Sequence, residues 1–600
     1  MTKKLLMGNE AIALSAIAAG VHIVTGYPGT PSSEVLETVA ANNPGDIYVE
    51  WSVNEKVALE VAAGASYTGA RSLVTMKQVG LNVASDPLMS LIYIGVKGGM
   101  VILVADDPGP ISSQTEQDTR HFAKYANIPV FDPSTPEEAY EMTQSAFALS
   151  EEIGMPVLLR PTTRVCHSCS TIEVSEERKK LPIGGFIKDK RWVIFPALSY
   201  KNHKHIEENQ DKIGDMLSES SYNPITGSGK IGIAASGIAY TYALEALSSF
   251  KEDIKLLKVG TAFPFPKKKA AEFLEGLDKV LVFEELDPVV EEGLLECTLK
   301  TGALPIIYGK KTGHVPSAGE LNLEIVSKTI GKFIGKQETI KESPVDKPEL
   351  PVRPPVLCAG CPHRASFYAV KQATAKQKCV YTGDIGCYTL GNAKPLEMVD
   401  TCLCMGAGIT IAQGLQRSQP YVKHIAFIGD STFFHTGIPG VINAVYNNTD
   451  ITVIVLDNST TAMTGQQPHP GTGKTMMNNI SERIDIHNML KACGVKTVIK
   501  QNPFDLKGAV KAVKEAVAVE GPSAVIFEAP CIAVAKPEPP YMVEQDKCIQ
   551  CRLCITRIGC PAIIMEGDKV LIDQPLCYGC DLCAQICPTK AIVQKKEGDS

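Results

Sequence analysis

Eight of the nineteen cysteines fall within the last sixty residues, in two spaced runs suited to thiolates converging on iron. Cys548, Cys551, Cys554 and Cys560 read C-x2-C-x2-C-x5-C-P, and Cys577, Cys580, Cys583 and Cys587 read C-x2-C-x2-C-x3-C-P. The second run has the bacterial spacing for 4Fe–4S clusters, in which the fourth cysteine of each run ligates the other cluster. One cluster would then be held by Cys548, Cys551, Cys554 and Cys587, and the other by Cys577, Cys580, Cys583 and Cys560. Thiolates two residues apart on a curling backbone converge on one cube, and the proline after the fourth turns the chain away. The competing assignments are paired zinc sites, which need four sulfurs per ion and no such proline, and disulfides, which imply an oxidising compartment.

A second constellation lies further upstream. The apolar run Ile425–Ile428 ends in Gly429-Asp430-Ser431, and the run Ile451–Leu456 ends in Asp457-Asn458-Ser459-Thr460. Open α/β sheets bind ligands at the carboxyl ends of neighbouring parallel strands. A carboxylate at one strand end and an amide at the next can give two oxygens to Mg2+, which takes its remaining ligands from a diphosphate. Gly429 would let phosphate approach the backbone. Taken alone, such residues are also ordinary strand-end turn formers. The pattern resembles the diphosphate motif of thiamine diphosphate enzymes, Gly-Asp-Gly followed by Asn-Asn, with Ser431 in place of the second Gly and Asp457 in place of the first Asn. That resemblance implies that Asp430 and Asn458 hold Mg2+, with the Thr460 carbonyl as a third ligand.

Near the amino terminus, Gly26-Tyr27-Pro28-Gly29-Thr30-Pro31-Ser32-Ser33-Glu34 reads as a strand-to-helix turn, and Asn54-Glu55 opens a helix after a strand ending at Trp51. Asn54 suits a helix cap and Glu55 the positive helix end. By resemblance to thiamine enzymes, Glu55 sits where a glutamate hydrogen-bonds N1′ of the aminopyrimidine. Thr30, Glu55 and His435 are the candidate catalytic residues. His435 and His469 lie close in sequence to the cofactor strands, where each could serve proton transfer, contact substrate or do neither. Cys166 and Cys169 flank His167 without four local ligands, and a core or solvent-side pair accounts for them.

The elements that must position these residues follow from the pattern. Six hundred residues at roughly 150 per domain give about four domains. Residues 1–190 alternate strand-like runs (Val49–Trp51, Ser72–Met76, Val101–Val104) with helical ones, predicting a parallel sheet covered on both faces. A weakly patterned stretch and a polar region, 222–229, precede a second α/β segment, 225–335. A Lys-, Glu- and Pro-rich linker, 335–356, leads to a third α/β segment, 356–535, and Lys536-Pro537-Glu538-Pro539-Pro540 separates it from a two-cluster tail, 541–600. The fold class expected is multi-domain α/β with doubly wound parallel sheets and a ferredoxin-like carboxyl-terminal domain. A net charge of −7 offers no basic field for nucleic acid. No uncharged apolar run reaches bilayer length. Lys3 and Lys4 precede a signal-like run, but Asn9 and Glu10 interrupt it, and a helix from about Asn9 running into the strand Val21–Val24 reads better. A cytoplasmic location, with cysteines reduced, is expected.

With these motifs together, the chain resembles the large subunits of the 2-oxoacid:ferredoxin oxidoreductases, of the branch acting on indolepyruvate, over nearly its whole length. The resemblance is carried by Gly26 to Ser33, Asp106-Asp107-Pro108-Gly109-Pro110 with Ser112-Ser113-Gln114, Cys358-Ala359-Gly360-Cys361-Pro362-His363, Asp400-Thr401 with Met405-Gly406-Ala407, Gly429 to His435, and Thr460 to Gly465. It implies that 1–190 binds the pyrimidine of thiamine diphosphate, 225–335 is like the transketolase carboxyl-terminal domain, and 356–535 binds the diphosphate. It further implies a third 4Fe–4S cluster on Cys358, Cys361, Cys387 and Cys531. Free cysteines are also common core residues, and Cys379, Cys402, Cys404 and Cys493 share that segment without such a role. The implied reaction is oxidative decarboxylation of aryl 2-oxoacids (indolepyruvate, phenylpyruvate, 4-hydroxyphenylpyruvate) to aryl-acetyl-CoA, with coenzyme A as co-substrate and ferredoxin as electron acceptor. Implied partners are a small β subunit in an α2β2 assembly, with thiamine between the pyrimidine domain of one large subunit and the diphosphate domain of the other. Pyruvate or another 2-oxoacid is the nearest alternative substrate, and a non-oxidative thiamine decarboxylase or ligase the alternative activity. The tail should be removable with loss of ferredoxin reduction and retention of thiamine binding.

Overall fold

The computed structural model describes residues 2–301, 305–336 and 350–595, so residues 337–349 of the expected linker lie outside the described residues. The chain forms two compact units, Met1–Asp346 and Lys347–Ser600.

In the first unit, apolar runs such as Met100–Ala105 are buried along their whole length, as strands covered by helices on both faces require. Strands β1 (Ile23–Gly26), β2 (Tyr48–Trp51), β3 (Ser72–Lys77), β4 (Met100–Ala105), β5 (Val130–Phe131) and β6 (Val157–Leu159) make one sheet in the order β2-β1-β3-β4-β6-β5. Every pairing in it is parallel. The helix Glu55–Tyr67 starts where the Asn54 side chain accepts the Val57 N–H at 2.9 Å. It packs Ala58, Leu59 and Ala62 against Val74, Met76, Ile102 and Val104. A second sheet holds β7 (Ile225–Thr226), β8 (Ile231–Ser236), β9 (Ile254–Val259), β10 (Lys279–Phe283) and β11 (Ile306–Tyr308), in the order β11-β10-β8-β9-β7. Buried Arg120 connects the two segments, reaching Asp118 and, at 2.9 Å, Glu284.

Two local departures from the sequence reading have simple causes. The weakly patterned stretch before residue 222 contains a 23-residue helix, Pro196–Ser218. Its buried apolar stripe is only Ile206, Ile213 and Leu217, too sparse to show as a helical period. Thr2–Met7 is a strand paired antiparallel with Cys169–Val174, and the helix after it runs Gly8–Ala18, with the expected strand beginning at Ile23.

The second unit carries a parallel sheet of β12 (Cys379–Thr382), β13 (Lys423–Gly429), β14 (Thr452–Asp457), β15 (Thr497–Gln501) and β16 (Ser523–Glu528), in the order β12-β13-β14-β16-β15. β13 and β14 are neighbours with Gly429 opposite Leu456, so Asp430 and Asn458 emerge side by side. The tail has two small antiparallel pairs, β17 (Tyr541–Val543) with β20 (Ile592–Gln594) and β18 (Ile563–Glu566) with β19 (Lys569–Ile572). It is not the separable appendage that the Pro-rich boundary suggested. Val543, Ile558, Ile563, Val570 and Leu582 share one core with Ala365 and Tyr368 of the helix Pro362–Thr374. Gly360, at φ +76°, lets the Cys358–Cys361 loop touch the tail, because a Cβ there would lie 2.4 Å from that of Tyr578. No helix of the described residues is long and apolar enough to cross a membrane.

Candidate functional site

Directly after β13, Asp430 opens a helical stretch, Asp430–Thr432, that continues through Phe433–Gly437 into the helix Ile438–Tyr446, and its carboxylate is buried. Its Oδ1 accepts the Ser431 N–H at 2.8 Å, and its Oδ2 accepts the Asn458 N–H at 3.1 Å. His469 Nε2 lies 3.1 Å from Oδ2. Because the Gly471 N–H donates to His469 Nδ1, Nε2 carries the hydrogen and donates to Asp430. Asp457, at the end of β14, is also buried, and burial followed by the nearby Asp430 carboxylate pushes it up to about 7. Burial would raise Asp430 as well, but His469 and the Ser431 N–H hold it below the usual carboxylate range. The two carboxyls thus share a proton, a charge arrangement that a divalent cation would replace.

The remaining expected residues cluster around this pair. Asn458 Nδ2 sits 3.3 Å from His363 Nε2, whose pKa burial lowers to about 4. The Thr460 hydroxyl donates to the Gln467 carbonyl at 3.4 Å, and the Thr461 hydroxyl donates to Ser431 Oγ at 2.9 Å. Gly429 is also needed for close packing, because the space its missing Cβ leaves holds Tyr388, whose Cε1 would lie 2.5 Å away. His435 is buried but not on Asp430; its Nδ1 lies 3.2 Å from the Thr436 hydroxyl. It acts electrostatically on Asp384, which burial pushes up to about 7. Asp384 was missed by sequence reasoning, although it follows β12 at the same sheet edge as Asp430.

In the first unit the loops after β1, β2, β3 and β4 gather a second set. Glu55 is buried in the first turn of its helix. Gly80 packs against it so closely that a Cβ would lie 2.7 Å from Oε1 and 2.8 Å from Cγ. The Thr30 carbonyl accepts the Ser112 hydroxyl at 3.2 Å. Lys77, absent from the sequence reading, runs its stem along Gly29 and brings Nζ to 3.4 Å from the Ser112 carbonyl. Burial lowers its pKa, against the opposing pull of Asp107 and Glu55.

The thiols of the tail and those around Cys358 act on one another electrostatically. After burial, the groups that raise the Cys554 thiol are Cys551, Cys548 and Cys587. Those acting on Cys583 are first Cys580, Cys560 and Cys577, with Cys554 after them. Cys387, pushed up to about 11 by burial, feels Cys531 and Cys358, and Cys361, pushed up to about 12, feels Cys358. A cavity is lined by Cys548, Cys551, Cys554 and Cys587 together with apolar Val543 and Ile592. Among the described residues no group of three or more His, Cys, Asp or Glu is placed to hold a metal ion. Four thiols spread around a cavity suit a group larger than one ion. Cys166 is buried and Cys169 exposed.

The segment that holds Cys358, Cys361, Cys387 and Cys531, the expected third quartet, meets the Asp430 site at Cys531, whose N–H donates to the Asn458 carbonyl at 2.9 Å. It also adjoins the tail through Arg364, a buried guanidinium in electrostatic reach of Cys560, Cys361, Cys580 and Cys358.

Two family models match the chain. "Pyruvate flavodoxin/ferredoxin oxidoreductase, thiamine diP-bdg" covers residues 14–191, and "Thiamine pyrophosphate enzyme, C-terminal TPP binding domain" covers 384–527. The fold and these domains define a thiamine diphosphate-binding 2-oxoacid oxidoreductase. The indolepyruvate oxidoreductase subunit IorA of Thermococcus kodakarensis is 43% identical, covering 99% of this chain and 97% of that one. The subunit of the same name from Methanothermobacter marburgensis is 42% identical, over 99% of this chain and 97% of its own length. The chain belongs to this IorA family of indolepyruvate oxidoreductase subunits. Among solved structures, a 2-oxoglutarate:ferredoxin oxidoreductase from Magnetococcus marinus is 18% identical, covering 55% of this chain and 65% of that one, with a TM-score of 0.45.

Proposed function

We propose that the chain is the cofactor-bearing large subunit of an enzyme that oxidises aryl 2-oxoacids, indolepyruvate, phenylpyruvate and 4-hydroxyphenylpyruvate among them, to aryl-acetyl-CoA. In this reading Asp430, Asn458 and Thr460 hold Mg2+ with the cofactor diphosphate, and Gly429 and Ser431 shape the turn beneath it. Glu55 holds the aminopyrimidine, while Thr30 and His435 face the reacting groups. When bound, thiamine diphosphate supplies the nucleophilic carbon and the electron sink for decarboxylation. His469, by donating to Asp430, keeps that carboxylate ionised and aimed at the metal.

The observation that supports the reading is the hydrogen bond from the Cys531 N–H to the Asn458 carbonyl, which joins one thiol of the proposed third quartet to the Asp430–Asn458 loop. In this reading the clusters are held, in order from that loop, by Cys358, Cys361, Cys387 and Cys531, then by Cys577, Cys580, Cys583 and Cys560, then by Cys548, Cys551, Cys554 and Cys587. Three clusters held in that order would carry electrons, one at a time, from the oxidation site to a ferredoxin. A small β subunit, in an α2β2 assembly, and coenzyme A complete the system, which is assigned to the cytoplasm. The test is an anaerobic viologen-reduction assay of the two-subunit complex against a panel of 2-oxoacids, with and without thiamine diphosphate and coenzyme A. Dye reduction that needs both and favours indolepyruvate over pyruvate is expected. Equal rates on the two acids would remove the aryl assignment, and aldehyde release without dye reduction would remove the oxidative one.

A further inference from the structure

Arg364 stands between two thiol quartets without belonging to either. Its side chain comes from the helix Pro362–Thr374, just beyond Cys361, and the residue is 4% exposed. Nη1 donates to the carbonyls of Ile558 at 2.6 Å and Gly559 at 2.8 Å, the two residues before Cys560. Nη2 donates to the carbonyl of Leu357, the residue before Cys358. One guanidinium therefore ties the backbone of a cysteine loop in the parallel-sheet segment to that of a cysteine loop in the tail. A further N–H, on Nε, is buried and has no hydrogen-bond partner among the described residues.

A buried, unpartnered donor on a permanently charged group costs free energy on the order of 1–3 kcal/mol or more, and such a donor points to an acceptor the protein itself does not provide. The sulfur atoms of an iron–sulfur cluster are acceptors of that kind, and hydrogen bonds and charge at those sulfurs set the reduction potential. Four of the thiols around Arg364, Cys560 and Cys580 on one side and Cys361 and Cys358 on the other, belong to two different quartets. Reduction adds negative charge to a cluster. A fixed positive charge beside it stabilises the reduced form and raises the potential.

We infer that Arg364 is a positioning residue for electron passage between the quartet Cys358/Cys361/Cys387/Cys531 and the quartet Cys577/Cys580/Cys583/Cys560. It holds the two loops at fixed separation and, through its charge and its Nε–H, raises the potential of the clusters on both sides. One electron passing between them oxidises the first cluster and reduces the second, and Arg364 stabilises the electron on either. This rests on reading both quartets as cluster ligands, as proposed above.

The test is an anaerobic redox titration of the full chain followed by electron paramagnetic resonance, comparing the unaltered protein with Arg364→Gln and Arg364→Lys, with iron and thiamine diphosphate counted in each. Arg364→Gln is expected to lower the potential of at least one of the two clusters by a tenfold change in its one-electron equilibrium, about 59 mV, at unchanged iron and thiamine content. Arg364→Lys, which keeps charge but not the Nε–H or the fork, is expected to fall part of the way. Full iron with unmoved potentials in Arg364→Gln overturns the inference. If Arg364→Gln sheds iron, the lysine variant is read instead, and unmoved potentials there overturn it equally. Iron in the unaltered protein of about eight per chain rather than about twelve would instead remove the third-quartet reading, and the inference with it.

Discussion

Gly80→Ala tests the placement of Glu55 without touching Glu55 itself. The new methyl would lie 2.7 Å from Glu55 Oε1, 2.8 Å from Cγ and 3.0 Å from Cδ. Carbon atoms in good contact lie about 3.5–4.0 Å apart, so the whole side chain must retreat by roughly 0.5–1 Å. Gly80 lies in the helix Gln78–Val83 without a positive φ, and there alanine is favoured over glycine by about 0.5–1 kcal/mol. Overpacking costs about 1–3 kcal/mol, so the net loss of stability stays within about 2.5 kcal/mol and the protein folds. A catalytic group displaced by about 1 Å can cost about 100-fold in rate, equivalent to about 2.7 kcal/mol on the barrier. The assay is anaerobic dye reduction at saturating thiamine diphosphate, paired with thermal unfolding. The control is Gly64→Ala in the helix that Glu55 opens, where a Cβ meets nothing within 4 Å. It is expected to keep full activity and to gain about 0.5–1 kcal/mol of stability. A Gly80→Ala protein as active as Gly64→Ala would refute the assignment of Glu55 to the cofactor.

Other perturbations probe the second unit. Cys387→Ser combined with Cys531→Ser is expected to remove about four iron atoms per chain; unchanged iron returns those cysteines to the core. The Asp430–Asp457 pair predicts a pH dependence of cofactor-free stability. The folded pKa of Asp457 is raised from 3.8 to about 7, so its contribution is fully present below about pH 4 and is lost as pH rises through 7. Thermal unfolding should therefore show a decline over that window that Asp457→Asn abolishes and that Mg2+ with thiamine diphosphate flattens. An identical slope in Asp457→Asn would show that the proton is held elsewhere. His469→Ala should weaken binding of Mg2+ and thiamine diphosphate while leaving iron content unchanged, measured by calorimetry and metal analysis; unaltered affinity would show that Asp430 needs no such support.

Much of this arrangement could be read along the chain because its parts are local. Asp430 and Asn458 declare themselves by following apolar runs, and the parallel pairing of β13 with β14 then brings them together. The two cysteine runs of the tail likewise declare themselves by spacing, whereas the grouping of Cys358, Cys361, Cys387 and Cys531 came from the resemblance. What escaped the sequence reading depends on partners far apart in the chain. Gly80 looks like any helical glycine until Glu55 is placed against it, and Lys77 carries no motif. Arg364 is only the residue after a Cys-Pro-His run until the carbonyls of Ile558 and Gly559, almost two hundred positions on, close around it. The role given to Gly429 was incomplete for the same reason, since Tyr388, forty-one positions earlier, occupies its open face. The packing of the tail was not legible because a Pro-rich boundary reports on chain direction, whereas the core shared with Ala365 and Tyr368 is a tertiary fact.

The central claim is that oxidation of a 2-oxoacid at the Asp430–Asn458 site delivers electrons to the thiol quartets of the same chain. It is tested most directly by mixing the anaerobic two-subunit complex with indolepyruvate and recording the electron paramagnetic resonance spectrum after rapid freezing, with no external acceptor present. Signals of reduced iron–sulfur clusters should appear when Mg2+ and thiamine diphosphate are bound and be absent in Asp430→Ala. Clusters that stay oxidised in the loaded complex while indolepyruvate is consumed would contradict it.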